Sequence, residues 1–206
     1  MAQAVPSGRT SEKSVDWPVR WPMPHIDLPP DIPGIRSGFA YRPDTARPLV
    51  ELAEILLRGE STLSRGEREL IAASVSSGNG CVYCTTTHGH YANLQLDGGR
   101  PEVTAVNADP PSVPVSRKMR ALLAVAEKVR QGGRNVTESD IAAARREGAS
   151  DRELHDTVLI AAAFCMYNRY VDGLATWTPD DPAVYQAIGE KLMAGGYLGI
   201  LETLPS

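Results

Sequence analysis

Apolar residues recur at helical spacing through most of the chain, in segments separated by glycines and capping residues. Leu49, Leu52, Ala53, Leu56 and Leu57 predict a helix capped by Asp44 or Thr45 and stopped at Gly59. Ser64-Arg-Gly-Glu67 fits the capping-box pattern, in which a hydroxyl and a carboxylate satisfy each other's backbone N–H groups. It opens a helix with Leu70, Ile71, Ala73 and Ser74, closed by Gly78-Asn79-Gly80. The next helix runs from about Cys81 to Leu96 and ends at Gly98-Gly99; residues 100–114 read as mostly loop, with one helical turn after Pro101. Ser116 starts a helix with Met119, Leu122, Leu123 and Ala126 that ends near Gly132-Gly133. Thr137-Glu-Ser-Asp140 caps a short helix that stops at Gly148. Ser150-Asp-Arg-Glu153 is a second capping box, opening a long apolar helix to about Ala175, and Asp181 to Ala194 gives a last amphipathic helix. No period-2 strand of useful length and no tandem repeat occurs, so the expected fold is all-α.

Proline sharpens this outline. Nine of the 16 prolines lie at or before Pro48, and none falls in 49–100 or 115–178. A proline in a helix interior loses a hydrogen bond and clashes with the preceding turn, so the two clean stretches are the expected helical body. Residues 1–14 read as a disordered tail and 15–43 as a proline-rich extended arm, with Trp17, Trp21 and Ile26 covering apolar surface of the body. Residues 44–206 then form a single all-helical domain.

Composition and charge narrow the function classes. The 206 residues are 42% hydrophobic and 22% charged, with a formal net charge of −4. That is ordinary for a soluble globular protein, and the basic footprint of a nucleic-acid binder is missing. The longest apolar run, Val158 to Tyr167, is about half of what a membrane span requires, and no signal-peptide core stands at the N-terminus. Three cysteines, two of them in one CxxC, suit a reducing cytoplasm. The Val158–Tyr167 run also offers more apolar surface than one helix of a small bundle need bury internally, so a homo-oligomer is expected.

The candidate chemistry sits in Cys81-Val-Tyr-Cys84-Thr-Thr-Thr-His88, with Glu69 twelve positions upstream. On a helix, Cys81, Cys84 and His88 share one face at a helix N-terminus, whose partial positive charge favours thiolate over thiol. Two antiparallel helices joined at Gly78-Asn79-Gly80 would bring Glu69 back beside the His88 turn. A carboxylate on one imidazole nitrogen fixes the tautomer and makes the other a better base, one turn beyond Cys84. Structural zinc lacks two well-placed further ligands, and c-type haem would need His where Thr85 stands. A thioredoxin-type site would need a βαβ context. A dithiol that cycles with its disulfide remains. His90 points away from Cys84 and reads as non-catalytic. Tyr83 could donate a hydrogen bond to a peroxide or simply pack. Cys165 reads as a core residue and His155-Asp156 as capping or surface chemistry. Asn168 and Arg169 follow an apolar run and would need partners if buried, either at a helix or subunit contact or lining the site.

These residues resemble the alkylhydroperoxidase D and carboxymuconolactone decarboxylase superfamily, specifically its peroxidase-related branch. Glu69, Cys81, Cys84 and His88 carry the match, and Pro33-Gly-Ile, Leu57-Arg-Gly, His155 through Asp172 and Gly196-Tyr197 extend it along the chain. The resemblance implies an AhpD-like helical bundle, assembly into trimers or hexamers, and thiol peroxidase activity without metal or flavin. It implies that Cys84 attacks the peroxide, Cys81 resolves, and Glu69 and His88 relay the proton. The helix dipole alone would have favoured Cys81. Tyr83 departs from the best-known relatives, which carry an assisting histidine there. The reductant would be a dithiol, such as a lipoyl-bearing or thioredoxin-like protein. Rival readings are a general thiol–disulfide oxidoreductase, a non-enzymatic redox sensor and, least favoured because that side generally lacks the CxxC, a decarboxylase-type enzyme.

Overall fold

A computed structural model describes residues 23–96 and 115–204. The order is α1 (Ile35–Tyr41), α2 (Pro43–Arg58), α3 (Arg65–Gly78), α4 (Val82–Gln95), α5 (Arg117–Gln131), a 3-10 turn at Gly133–Asn135, α6 (Glu138–Arg146), α7 (Asp151–Gly173), α8 (Pro182–Gly195) and α9 (Gly199–Glu202). Among the described residues there is no strand, and no helix is long and apolar enough to cross a membrane. The fold is all-α.

Capping chemistry sets where the main helices begin. The Ser64 hydroxyl accepts from Glu67 N while the Glu67 carboxylate accepts from Ser64 N at 2.8 Å, and Thr137–Asp140 and Ser150–Glu153 make the same reciprocal pair. Ser116 and Asp181 cap α5 and α8 by one bond each, from Met119 N and Ala183 N.

The centre of the bundle is α3, buried on nearly all sides from Arg68 to Ser76. It turns at Asn79-Gly80 into α4, and a Cβ on Gly66 would sit 2.8 Å from the Gln95 carbonyl. The start of α3 therefore lies against the end of α4, and the pair is an antiparallel hairpin. α7 packs on α3 and α5, and Leu70, Ile71, Met119, Leu122, Val125 and Ile160 meet in a fully buried core. α8 closes over α4, where Gly189 lets the His90 ring approach.

Three expectations change. The arm is not extended throughout: α1 occupies 35–41, because the seven residues between Gly34 and Arg42 hold no proline. α2 starts at Pro43, whose missing N–H costs nothing at a helix start, so Arg42 and not Asp44 or Thr45 is the cap. Pro48 lies inside α2 on an exposed turn, where water can reach the carbonyl it leaves unbonded. Of the arm's apolar residues, Ile26 is 38% exposed, while Leu28 and Phe39 are buried. Trp17, Trp21, the 1–14 tail and the 100–114 loop lie outside the described residues.

Candidate active site

The α3–α4 hairpin builds the site from both of its arms. Cys81 is the N-cap of α4 and Cys84 its third residue, so both thiols stand at the end where helix N–H groups are free. The turn before them is pinned from α7. Asn168 Nδ2 donates to Ser76 Oγ at 3.0 Å, and Asn79 Nδ2 donates to Asn168 Oδ1 at 2.8 Å. Asn168 thus finds its partners by fixing the turn that precedes the CxxC. Arg169, by contrast, lies on the surface and donates to the Cys165 carbonyl. Cys165 is half-buried, not a core residue, because its position on α7 faces the rim of the bundle.

Glu69 and Arg68 stand in a charged run that reads as solvated surface, yet both are buried. The Arg68 guanidinium donates to the Leu56 and Gly59 carbonyls at the C-terminal end of α2. Glu69, at 0% exposure, receives two donors. His88 Nδ1 lies 2.8 Å from its Oε2, and the Tyr197 hydroxyl donates to its Oε1 at 2.6 Å. An ionised carboxylate only accepts, so this contact holds the His88 proton on Nδ1 and leaves Nε2 as the basic nitrogen. The ring is further held edge-on to Phe164 and Tyr91, at centroid distances of 4.6 and 5.4 Å. Tyr197 was not singled out for chemistry by the sequence beyond its place in the resemblance. It arrives from the far end of the chain, positioned by Glu54, which accepts from Tyr197 N at 2.6 Å.

Cys84 and His88 line one cavity of about 60 Å³, walled mainly by Ile35, Phe39, Val50, Tyr91 and Phe164. Cys81 is fully buried beside Cys84, in a small cluster with Tyr83, Val171 and Tyr185, and all three cysteines are free thiols. The hydrogen bond with Cys84, then burial, and more weakly the Asp172 carboxylate, push the Cys81 thiol far above its ordinary value. Burial likewise raises the Tyr83, Tyr91 and Tyr197 phenols, so they serve as neutral donors. Tyr83 lines the cavity, but its ring also closes over Gly34. That glycine has φ 58, and a Cβ there would run into the ring, so no other residue fits. His90 is not among the residues lining this cavity. Among the described residues no three His, Cys, Asp or Glu side chains are grouped to hold a metal.

Residues 43–106 match the model of the carboxymuconolactone decarboxylase family. That segment holds α2, α3 and the CxxC helix, and about three quarters of the chain matches solved structures. One is an uncharacterized peroxidase-related protein from Silicibacter sp. TM1040, 28% identical, with TM-score 0.65 over 72% of this chain and 78% of that one. Another is an alkylhydroperoxidase AhpD core, an uncharacterized peroxidase-related protein from Ralstonia eutropha JMP134. It is 26% identical, with TM-score 0.67, over 77% of this chain and 81% of that one. In segment and in fold, the chain is similar to the AhpD-like and carboxymuconolactone decarboxylase superfamily. No curated protein matches it. The hairpin of α3 and α4 carries the glutamate, both cysteines and the histidine, and Tyr197 joins them from outside the segment that matches the family model.

Proposed function

We propose that this AhpD-like protein is a thiol peroxidase that cycles Cys84 and Cys81 between dithiol and disulfide. The observation that carries the reading is the Glu69–His88 contact. It orients a base in the same apolar cavity as Cys84, with a second thiol buried alongside. His88 Nε2 takes the Cys84 proton, directly or through one water. The thiolate attacks the terminal peroxide oxygen; an S–O bond forms, the O–O bond breaks, and the leaving alkoxide takes the proton back from His88. Cys84 is now a sulfenic acid, two electrons oxidised. Cys81 then attacks that sulfur; the S–S bond forms, the S–O bond breaks, and the Cys81 proton leaves with the hydroxide as water. A dithiol reductant restores both thiols and is itself oxidised to a disulfide. Cys81 suits the resolving role because it lies buried beside Cys84, while Cys84 lines the cavity that His88 shares.

Exposures of 0% and 4% at Cys81 and Cys84 favour a small peroxide over a protein disulfide as oxidant. They also favour a thin reductant arm, such as a lipoyl group, over a bulky one. The test is peroxide-dependent thiol loss in the reduced protein. Wild type should lose both CxxC thiols per peroxide, Cys81→Ser should stop at a trappable sulfenic acid, and Cys84→Ser should be inert. Undiminished peroxide consumption by Cys84→Ser would sink the reading, and a carboxylate-releasing activity that survives loss of both cysteines would point to the decarboxylase side.

A further inference from the structure

Arg36, the second residue of α1, lines the Cys84 cavity and also an adjoining pocket of about 40 Å³ that Lys191 and Thr203 help to line. No Asp or Glu lines either space. The Arg36 guanidinium is half-buried, and its Nη2 donates to the Thr203 hydroxyl at 2.9 Å. Its Nε is buried without a hydrogen-bond partner, and no carboxylate among the described residues pairs with it. A buried guanidinium N–H left unbonded is costly, and the planar fork of arginine matches a carboxylate at two points. Arg36 shares the lining of the Cys84 cavity with Tyr83 and Tyr91. In a chain of net charge −4, two cations around an acid-free opening next to the reactive thiol form a local site of opposite sign.

We propose that Arg36, with Lys191 at the outer rim, binds an anionic group of the substrate, and that the peroxide reduced here is a hydroperoxide carrying a carboxylate beyond a short apolar segment. The length follows from the inner cavity: about 60 Å³ between Cys84 and Arg36 holds the peroxide group and a few carbons. Its apolar walls select those carbons, and Arg36 selects the charge. The proposal rests on the peroxidase reading for the reacting group, and on Arg36 alone for the carboxylate.

The experiment compares tert-butyl hydroperoxide with its carboxylate analogue, 3-hydroperoxy-3-methylbutanoate, by the second-order rate of Cys84 oxidation in the pre-reduced full chain. Wild type should prefer the carboxylate by about tenfold, the worth of one charge-assisted hydrogen bond, and the preference should shrink as salt is added. Arg36→Met should bring the ratio close to one, and Arg36→Lys should restore part of it. No preference in wild type, or a preference that Arg36→Met leaves intact, would overturn the proposal; the wild-type arm decides even if a variant fails to fold. If neither hydroperoxide oxidises Cys84, the peroxidase reading falls and takes the hydroperoxide with it. Calorimetry with 3-methylbutanoate then decides the anion site: binding weakened about tenfold in Arg36→Met upholds it, and no binding to wild type ends it.

Discussion

At the scale of single residues, the relay depends on a tyrosine that lies 128 positions from the carboxylate it serves. Glu69 is fully buried, and each of its oxygens has one close donor, from His88 and from Tyr197. Tyr197→Phe keeps the ring and removes one donor. A buried acceptor left unsatisfied costs about 1–3 kcal/mol, so unfolding should move by that amount. A purely structural role would end there. A positioning role also slows the thiol–peroxide reaction at unchanged helix content, because a carboxylate held by one donor fixes the His88 ring less firmly. Glu69→Gln and His88→Gln should slow peroxide turnover by about 10²–10⁴-fold, the usual worth of a positioned general base. A wild-type rate in His88→Gln across neutral pH would make the histidine structural. Glu69, Cys81, Cys84 and His88 were legible in the sequence because one hairpin with a two-residue turn fixes all four. Tyr197 and Arg36 were not, because only the packing of α1 and the C-terminal segment onto that hairpin brings them in.

Among the elements, α7 shows how capping and ion pairing fix a helix that must hold the site's turn through Asn168. Burial pushes the Glu153 carboxyl up, but hydrogen bonds from Lys118 and from the Ser150 backbone and hydroxyl outweigh it and hold it at about 2, against an ordinary 4.5. A depressed carboxyl contributes stability that is present above 4.5 and lost as pH falls through about 2. Linkage puts that contribution at roughly 3 kcal/mol or less. Glu153→Gln keeps the capping geometry and loses the charge, so its urea midpoint should fall below wild type at neutral pH. The gap should close as pH drops from 4.5 toward 2; a gap constant over that range would show that the charge contributes nothing. Gly34→Ala tests the other end of the site. The new Cβ meets the Tyr83 ring at a backbone angle that L residues rarely adopt, so both thermal stability and the Cys84 rate should drop. The capping boxes at Ser64 and Ser150 were legible because they are local chemistry. The helix α1 was not, since a proline-rich neighbourhood hid seven residues that pack between α2 and α7.

At the scale of the whole molecule, one face of the bundle leaves apolar side chains exposed. α7 is a core helix on one side, yet Val158, Leu159 and Met166 are 37%, 37% and 43% exposed on the other, with Ala162 between them. Spacings of three and four residues line these up as a stripe, and the groove beside it is bordered by Ile141 and Leu154. We propose that this stripe is the contact of a homo-oligomer. The same helix carries Asn168, so subunit contact on one face of α7 would stiffen the turn that holds Cys81. Light scattering at micromolar concentration should give a mass several times 22.2 kDa. Leu159→Glu should dissociate the assembly, since a charge in an apolar contact must be desolvated without a partner. It should leave helix content intact, because the position faces outward in the isolated subunit. A wild-type monomer, or an oligomer that Leu159→Glu leaves whole, would place the contact elsewhere. Dissociation that also slows Cys84 oxidation would show that α7 transmits assembly to the CxxC turn through the Asn168–Asn79 hydrogen bond.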